Sequence, residues 1–363
     1  MIKFHEPFQS KNQKKYVLDV LDNNLFIKDK YSNLCKEFLI EMYGVNEILL
    51  THSATAALEI SSKLLKLEYE NSRRILIPSY TFSSTANAFL IDNHEIKFID
   101  IDEKDLIVNK KKLLNKSDIL VVVHYANSCF DFDKEINSNI IEDAAQSFDA
   151  KLNNKYLGTF GKYGCISFHR TKNVHSDYGG MVILNDNSYF DEAKYIYERG
   201  TDRSEVIAGN KNKYQWVQKG SSYQISELSS ALLLSQLEDK DIIREIKKNI
   251  YFEYEERLSD LVDAGLINIQ KINPDLDPNY HAFYIITKDN NRKMIDYLKS
   301  KGISAYIGYE PLHLSEYALN NNLQTDLYIT ESIYKKIIRL PLHTNIKKTD
   351  VKYIVDTIKK YYE

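Results

Sequence analysis

The stretch Ser167-Phe168-His169-Arg170-Thr171-Lys172-Asn173 lies between two short apolar runs of the sequence. A β-like run at 164–166 precedes it, and a Gly179-Gly180 turn leads from it into the second apolar run. A lysine on such a turn can be buried in a cleft, where loss of solvation favours the uncharged, nucleophilic amine. Because most of the 48 Lys and Arg residues are expected at the surface, this interpretation of Lys172 needs support from the rest of the chain.

The composition is that of an ordinary globular protein, with 363 residues, 43% of them hydrophobic, and a net charge of −3. There is no basic patch for nucleic acid, no apolar run of the roughly 20 residues that a membrane span needs, and no signal peptide in the polar segment 1–15. The three separated cysteines form no CxxC pair, so neither a disulfide framework nor a metal site is predicted. We therefore expect a cytoplasmic protein that binds neither nucleic acid nor a membrane.

Strand-like runs alternate with helical patterns along most of the chain. The predicted strands are 47–50, 75–77, 96–100, 119–124, 140–142, 164–166 and 181–184. This alternation predicts an α/β fold with a largely parallel sheet. Polar turns follow four of the strands, at 51–55, 79–82, 143–146 and 167–172. Because ligands bind at the carboxyl ends of parallel strands, these turns predict one shared pocket that contains Lys172.

The last third of the chain predicts a second, smaller α+β domain. A helical region from 225 to about 261 leads into it, and we place the division between a large domain 1–245 and a small domain 246–363. Within the small domain the expected strands are 267–269 and 282–287, the apolar run 303–307 continues the alternation, and the expected helices are 292–301, 330–338 and 348–361. The polar loop 200–222 is predicted to be a functional or interface loop.

The residue types in the four turns are those that pyridoxal 5′-phosphate (PLP) requires. PLP needs a lysine for its Schiff base, a carboxylate beside the ring nitrogen, an aromatic ring to stack on, and N–H groups and hydroxyls around its phosphate. Lys172, Asp143, Phe82 and the helix start at 51–55 supply this set. Taken singly, Asp143 could equally be the N-cap of a helix that begins at Ala144, and Phe82 could be a core residue. Together they predict a PLP site.

The same segments resemble the DegT/DnrJ-type family of sugar aminotransferases, which are fold-type I PLP enzymes. The matching segments are 50–59, 78–87, 142–146, 167–173 and 339–342. The resemblance therefore covers nearly the whole chain, and it implies a large cofactor-binding domain with a mostly parallel sheet and a smaller C-terminal domain. Within the family the chain most resembles the subgroup of dTDP-4-amino-4,6-dideoxygalactose transaminases, through segments 198–203, 213–216 and 220–223.

The resemblance implies a role for each matching residue. Lys172 would form the Schiff base and shuttle the proton between Cα of the amino donor and C4′ of the cofactor. Asp143 would hold the pyridinium nitrogen, Gln146 would contact the ring hydroxyl, and Phe82 would stack on the ring. The expected phosphate ligands are Ala54, Thr55 and Ser167.

Other positions depart from the family pattern. Ser222 stands where most relatives have an Asn that reaches the phosphate of the partner subunit, so the resemblance implies a homodimer with shared active sites. Tyr178 stands where relatives have an acidic residue, which leaves the sugar specificity open. Tyr309 and His313 are candidates for the substrate side, and structural contacts within the small domain are an equal alternative for both.

The implied reaction moves an amino group from L-glutamate to a dTDP-4-keto-6-deoxyhexose. The product would be a dTDP-4-amino-4,6-dideoxyhexose for O-antigen or other surface polysaccharide. Alternatives are a PLP-dependent 3-keto-sugar aminotransferase, a keto-sugar dehydratase, and a non-catalytic regulatory protein. The presence of Lys172 argues against the dehydratase, whose relatives often replace this lysine with histidine. The complete set of cofactor residues argues against the regulatory protein.

Overall fold

The computed structural model describes residues 1–69, 73–108, 118–132 and 139–363. Its strands are β1 Ile48–Thr51, β2 Ile75–Pro78, β3 Ile96–Ile99, β4 Ile119–Val123, β5 Ile140–Asp143, β6 Lys151–Leu152, β7 Lys155–Tyr156, β8 Tyr163–Ser167, β9 Gly180–Leu184, β10 Ile267–Ile269, β11 Leu276–Asp277, β12 Phe283–Thr287 and β13 Ile337–Leu340. Its helices are α1 Gln13–Asp22, α2 Lys30–Tyr43, α3 Ala54–Glu68, α4 Ser83–Leu90, α5 Phe190–Tyr197, α6 Arg203–Ile207, α7 Glu227–Glu238, α8 Lys240–Asp263, α9 Asn291–Ser300, α10 Glu316–Asn320, α11 Tyr328–Ile333 and α12 Lys348–Tyr362.

A seven-stranded sheet forms the centre of the larger part of the molecule, in the order β1-β9-β8-β5-β4-β2-β3. Only β9 runs against its two neighbours, so the other six strands share one direction. Every residue of β4, β5, β8 and β9 is buried, as expected for a sheet that is covered on both faces. The predicted α/β fold with a mostly parallel sheet is confirmed.

Helices cover both faces of this sheet because side chains alternate along each strand. Leu49 of β1 belongs to the core beneath α3 and α4, whereas Ile48 and Leu50 belong to the core on the opposite face, with α1, α2 and α7. The sheet and its helices thus form a three-layer sandwich, and the carboxyl ends of the six codirectional strands meet at one edge.

The C-terminal part has its own core around the antiparallel sheet β10-β12-β13. Helices α8 and α9 pack against this sheet, and α12 packs against both of these helices. The proposed domain boundary at 245/246 falls inside α8, whose 24 residues continue from the large domain into this second core. A third, small sheet, β11-β6-β7, joins the chain after β5 to the segment that precedes β12.

Four details of the sequence prediction need correction. The helix predicted for 330–338 ends at Ile333, and β13 follows because its apolar residues pair with β12. The run 303–307 forms only isolated bridges. The chain after Asp143 is a turn, so no helix begins at Ala144. The loop 200–222 contains the short helix α6. Across the described ranges, none of the helices combines the length and apolar character needed to cross a membrane.

Candidate active site

A cavity of about 550 Å³ opens at the edge where the parallel strands end. Its walls come from residues at or just after the carboxyl ends of β1, β2, β4, β5 and β8, together with residues of the C-terminal part of the chain. Among its lining residues are eight that the sequence predicted: Ala54, Thr55, Phe82, Asp143, Gln146, Ser167, Lys172 and Tyr309. The shared pocket expected from the four polar turns therefore exists.

Lys172 lies in a tight loop that follows β8. The loop is closed by hydrogen bonds from Phe168 N to Gly179 O (2.9 Å) and from Arg170 N to Asp177 O (2.8 Å). The Lys172 side chain is half-buried, and no hydrogen bond joins its amine to any residue in the described part of the chain. Burial lowers the pKa of Lys172 from 10.5 to about 8; Asp143 opposes this shift and Arg339 adds to it. The amine is therefore available as a nucleophile near neutral pH.

The lowered pKa of Lys172 predicts how the apoenzyme captures PLP at different pH values. Only the free amine reacts with the aldehyde, so the capture rate should rise about tenfold per pH unit and level off above about pH 8. A lysine with the ordinary pKa of 10.5 would keep the rate rising well beyond that point. Stopped-flow absorbance of PLP with apoenzyme measures the profile. A rate that still rises tenfold per unit above pH 9 would contradict this assignment.

Asp143 is the last residue of β5, and its carboxylate is buried at the cavity. Its Oδ2 accepts a hydrogen bond from Thr85 Oγ1 (2.6 Å), and its Oδ1 accepts one from Ala145 N (3.2 Å). Thr81 Oγ1 lies 2.8 Å from Thr85 Oγ1, so the two threonines and Asp143 form a continuous chain of hydrogen bonds. Burial raises the pKa of Asp143, because removal from water destabilises the charged carboxylate. A cation that pairs with the carboxylate offsets this destabilisation. A protonated ring nitrogen is such a cation.

The N-terminus of α3 forms another side of the cavity. Ser53 is the N-cap, with its Oγ accepting from Ala56 N (3.1 Å), so the N–H groups of the first helical residues need partners from outside the helix. Gly180 faces this helix start so closely that an added Cβ would lie 2.5 Å from Ala54 N. Thr55 Oγ1 donates to Ser84 Oγ (2.8 Å), and Ser167 also lines the cavity. Such a cradle of N–H groups and hydroxyls fits a phosphate.

Gln146, Tyr309 and Phe82 form the remaining predicted part of the cavity. Gln146 Oε1 accepts from Ala126 N (2.9 Å), and its Nε2 donates to Tyr309 OH (2.9 Å). Phe82 is 58% exposed, and its ring centroid lies 6.3 Å from that of Tyr309. An exposed phenylalanine at the wall of a cavity fits stacking on a bound ring better than core packing.

Two predicted residues do not line the cavity. The buried ring of His313 has its Nδ1 2.6 Å from Ser79 Oγ and its Nε2 3.4 Å from Glu331 Oε1, so it joins the turn after β2 to the small domain. Ser222 is exposed and bridges to Glu198. Its contact with a partner subunit's phosphate site stays a prediction.

The sequence prediction missed several residues of the cavity. Thr85 lies in the first turn of α4, four residues after Thr81, which precedes the helix, and this spacing was a usable signal. Arg339 is the one charged residue of β13, a second signal that went unused. His281 had no local signal, because it enters the cavity from the small domain.

The cavity fits PLP. Lys172 would hold the aldehyde carbon, Asp143 the ring nitrogen, and the α3 N-terminus with Ser167 the phosphate, while Phe82 would cover the ring. A mostly parallel seven-stranded sheet with this set at its carboxyl edge defines a fold-type I PLP enzyme.

Comparison with known proteins identifies the family. The model of the DegT/DnrJ/EryC1/StrS aminotransferase family matches residues 7–359, and the chain therefore belongs to this family of PLP-dependent sugar aminotransferases. It is 24% identical to GDP-perosamine synthase of Escherichia coli O157:H7, over 99% of this chain and 98% of that protein. It is also 24% identical to UDP-4-amino-4,6-dideoxy-N-acetyl-beta-L-altrosamine transaminase of Helicobacter pylori, over 99% of this chain and 97% of that protein.

Solved structures share the fold over their full length. The sugar aminotransferase CalS13 from Micromonospora echinospora superposes with a TM-score of 0.88 at 18% identity, covering 99% of this chain and 100% of that chain. The PLP form of Spr1654 from Streptococcus pneumoniae gives the same TM-score and identity, covering 99% of this chain and 98% of that chain. The predicted enzyme class and cofactor are confirmed.

Proposed function

We propose that the protein transfers the amino group of L-glutamate to C4 of a dTDP-linked 4-keto-6-deoxyhexose and so makes a dTDP-4-amino-4,6-dideoxyhexose for surface polysaccharide. The observation that carries the proposal is that Lys172, on the loop after β8, and Asp143, at the end of β5, line the same cavity as the N-terminus of α3. This set supports transamination, and the sugar assignment is supported by family membership and by the resemblance in segments 198–203, 213–216 and 220–223.

The residues of the cavity divide the chemistry among them. PLP, when bound, supplies an aldehyde that takes up the amino group and a ring that withdraws electrons. With a pKa of about 8, about one Lys172 side chain in ten is uncharged at pH 7. Its Nζ can then remove the proton from Cα of glutamate. The Asp143 carboxylate, oriented by Thr85, keeps the proton on the ring nitrogen through charge pairing.

The positive charge of Arg339 in the cavity supports the binding of anionic substrates. Arg339 lines the cavity, with its guanidinium carbon 5.4 Å from the ring centroid of Phe4 and 5.9 Å from that of Tyr125. Its buried Nε has no hydrogen-bond partner among the described residues. Arginine binds carboxylates and phosphates in a bidentate manner, so both L-glutamate and a sugar nucleotide offer it a partner.

Amination at C4 is supported by the name of the Helicobacter pylori relative, which specifies a UDP-linked 4-amino-4,6-dideoxy sugar. The Escherichia coli relative is named for GDP-perosamine, a sugar linked to a different nucleotide. Because these two nucleotides differ, the names do not indicate which nucleotide the substrate of this enzyme carries. The choice of dTDP is supported by the resemblance to the dTDP subgroup.

The proposal is tested by offering purified enzyme L-glutamate with matched 4-keto-6-deoxyhexoses linked to dTDP, UDP or GDP. Mass spectrometry should detect an amino sugar, with kcat/KM at least about tenfold higher for the dTDP substrate, as expected for a base-specific hydrogen bond. A matched dTDP-linked 3-keto sugar tests the alternative site of amination. Higher activity with that substrate, or with another nucleotide, would contradict the corresponding part of the proposal.

A further inference from the structure

A buried polar cluster lies behind the loop that carries Lys172. We call it the Asn173 cluster, and it consists of Lys247 on α8, Asn173, His281 and Asn279, all of them buried. Lys247 Nζ donates to Asn173 Oδ1 (2.6 Å) and to His281 O (3.1 Å), and Asn279 Nδ2 donates to Gln146 O (2.8 Å). The cluster thus joins the small domain to two loops of the cavity.

Two neighbours fix the orientation of the Asn173 amide. Asn173 Nδ2 donates to the backbone oxygen of Asn279 at 2.7 Å, and this oxygen can only accept. The other end of the amide, 2.6 Å from Lys247 Nζ, is therefore the oxygen, which accepts from the lysine amine. Asn173 Oδ1 therefore has no hydrogen to give to any further neighbour.

The orientation of Asn173 in turn fixes the tautomer of His281. His281 Nδ1 lies 3.1 Å from Asn173 Oδ1, and since that oxygen only accepts, Nδ1 must carry the hydrogen. Burial lowers the pKa of His281 well below 6.5, and the charges of Lys172, Lys247 and Arg339 lower it further. The ring is therefore neutral, and its other nitrogen, Nε2, carries a lone pair.

This lone pair is available to a ligand. His281 lines the same cavity as Lys172, and its Nε2 has no hydrogen-bond partner in the described ranges. Some side-chain atoms of the described residues are both fully buried and unpaired, and Nε2 is not one of them. A ligand in the cavity can therefore reach it. Its surroundings select the ligand: Lys172, Lys247 and Arg339 disfavour another cation, and a carboxylate has no hydrogen to donate. A neutral hydroxyl satisfies both conditions.

We propose that Nε2 of His281 accepts a hydrogen bond from a hydroxyl of the sugar acceptor, so that His281 determines substrate specificity in the second half of the reaction. L-Glutamate has no hydroxyl, and its ammonium is disfavoured here, so the first half-reaction does not use this contact. The inference rests on the proposed function, because it requires that a sugar enters the cavity.

The test measures the two half-reactions separately in the PLP-loaded enzyme and in two variants. His281→Asn keeps a donor near the position of Nδ1 and loses the acceptor at the position of Nε2, whereas His281→Gln places an amide near the position of Nε2. The conversion of the PLP form by L-glutamate should stay within about twofold of wild type in both variants. The kcat/KM for the keto-sugar should fall about 10- to 100-fold in His281→Asn and less in His281→Gln.

Each outcome bears on the inference. A loss confined to the sugar half-reaction and partly restored in His281→Gln supports it. An equal loss in both half-reactions, or wild-type activity of His281→Asn with the sugar, overturns it while leaving the proposed function in place. A wild-type enzyme that L-glutamate converts but that aminates no keto-sugar overturns both. Absorbance of bound PLP and the melting temperature verify that each variant is folded and loaded.

Discussion

Replacing Lys172 with alanine is expected to lower the rate of amino transfer by a factor on the order of 10⁴. The variant loses the amine that we propose binds the cofactor and moves the proton from Cα, and no other lysine lines the cavity in the described ranges. Formation of 2-oxoglutarate from L-glutamate measures the loss. The visible absorbance of the lysine-bound cofactor should disappear in the same variant.

Two further variants make this test specific. Lys172→Arg keeps the positive charge, but a guanidinium does not give up its proton near neutral pH, so it should be as inactive as the alanine variant. Lys299→Ala removes an exposed lysine on α9, and it should keep wild-type activity and absorbance. Retention of more than about a tenth of the activity by folded Lys172→Ala would contradict the role of Lys172 as the base.

The second large effect is expected for Asp143→Asn, with a loss of activity on the order of 10²- to 10³-fold. The amide is nearly the same size as the carboxylate but has no charge, so it cannot keep the ring nitrogen protonated. Because the carboxylate is buried and its pKa is raised by burial, the substitution should not destabilise the fold. Single-turnover conversion of the cofactor by L-glutamate measures the effect.

Thr85→Val is the matched control for the environment of Asp143. It removes the 2.6 Å hydrogen bond to Oδ2 and leaves the carboxylate in place, so its loss should be about tenfold. The account therefore requires a much larger loss in Asp143→Asn than in Thr85→Val. Equal losses in the two variants, or less than about a threefold loss in Asp143→Asn, would show that the charge of Asp143 is not what matters.

The central sheet and its polar turns were predictable because their signals are local. Each parallel strand is a short apolar run, and its last residue must lie at the ligand-binding edge, as Asp143 of β5 and Ser167 of β8 do. The strand β13 was not predictable in this way. Its Ile-rich sequence fits either a helix or a strand, and pairing with β12, some fifty residues earlier in the chain, decides between them.

The part of the site that the sequence did not reveal depends on contacts between distant residues. His281 meets Asn173 across a separation of 108 residues, and Lys247 meets it across 74. No spacing rule links such positions, since only the packing of the C-terminal part of the chain against the part built on the central sheet brings them together. His313 illustrates the opposite error, a predicted site residue that does not line the cavity. It lies only four residues after Tyr309, which does line the cavity, but its ring contacts Ser79 and Glu331.

We propose that this chain moves nitrogen from an amino acid to a sugar, with Lys172 as the base. The most direct test incubates the PLP-loaded enzyme with ¹⁵N-labelled L-glutamate and a dTDP-4-keto-6-deoxyhexose. The account predicts that the sugar nucleotide gains one ¹⁵N atom at C4, that an equal amount of 2-oxoglutarate forms, and that Lys172→Ala abolishes both. If 2-oxoglutarate forms without labelled sugar, or if the label appears equally in the Lys172→Ala variant, the account is wrong.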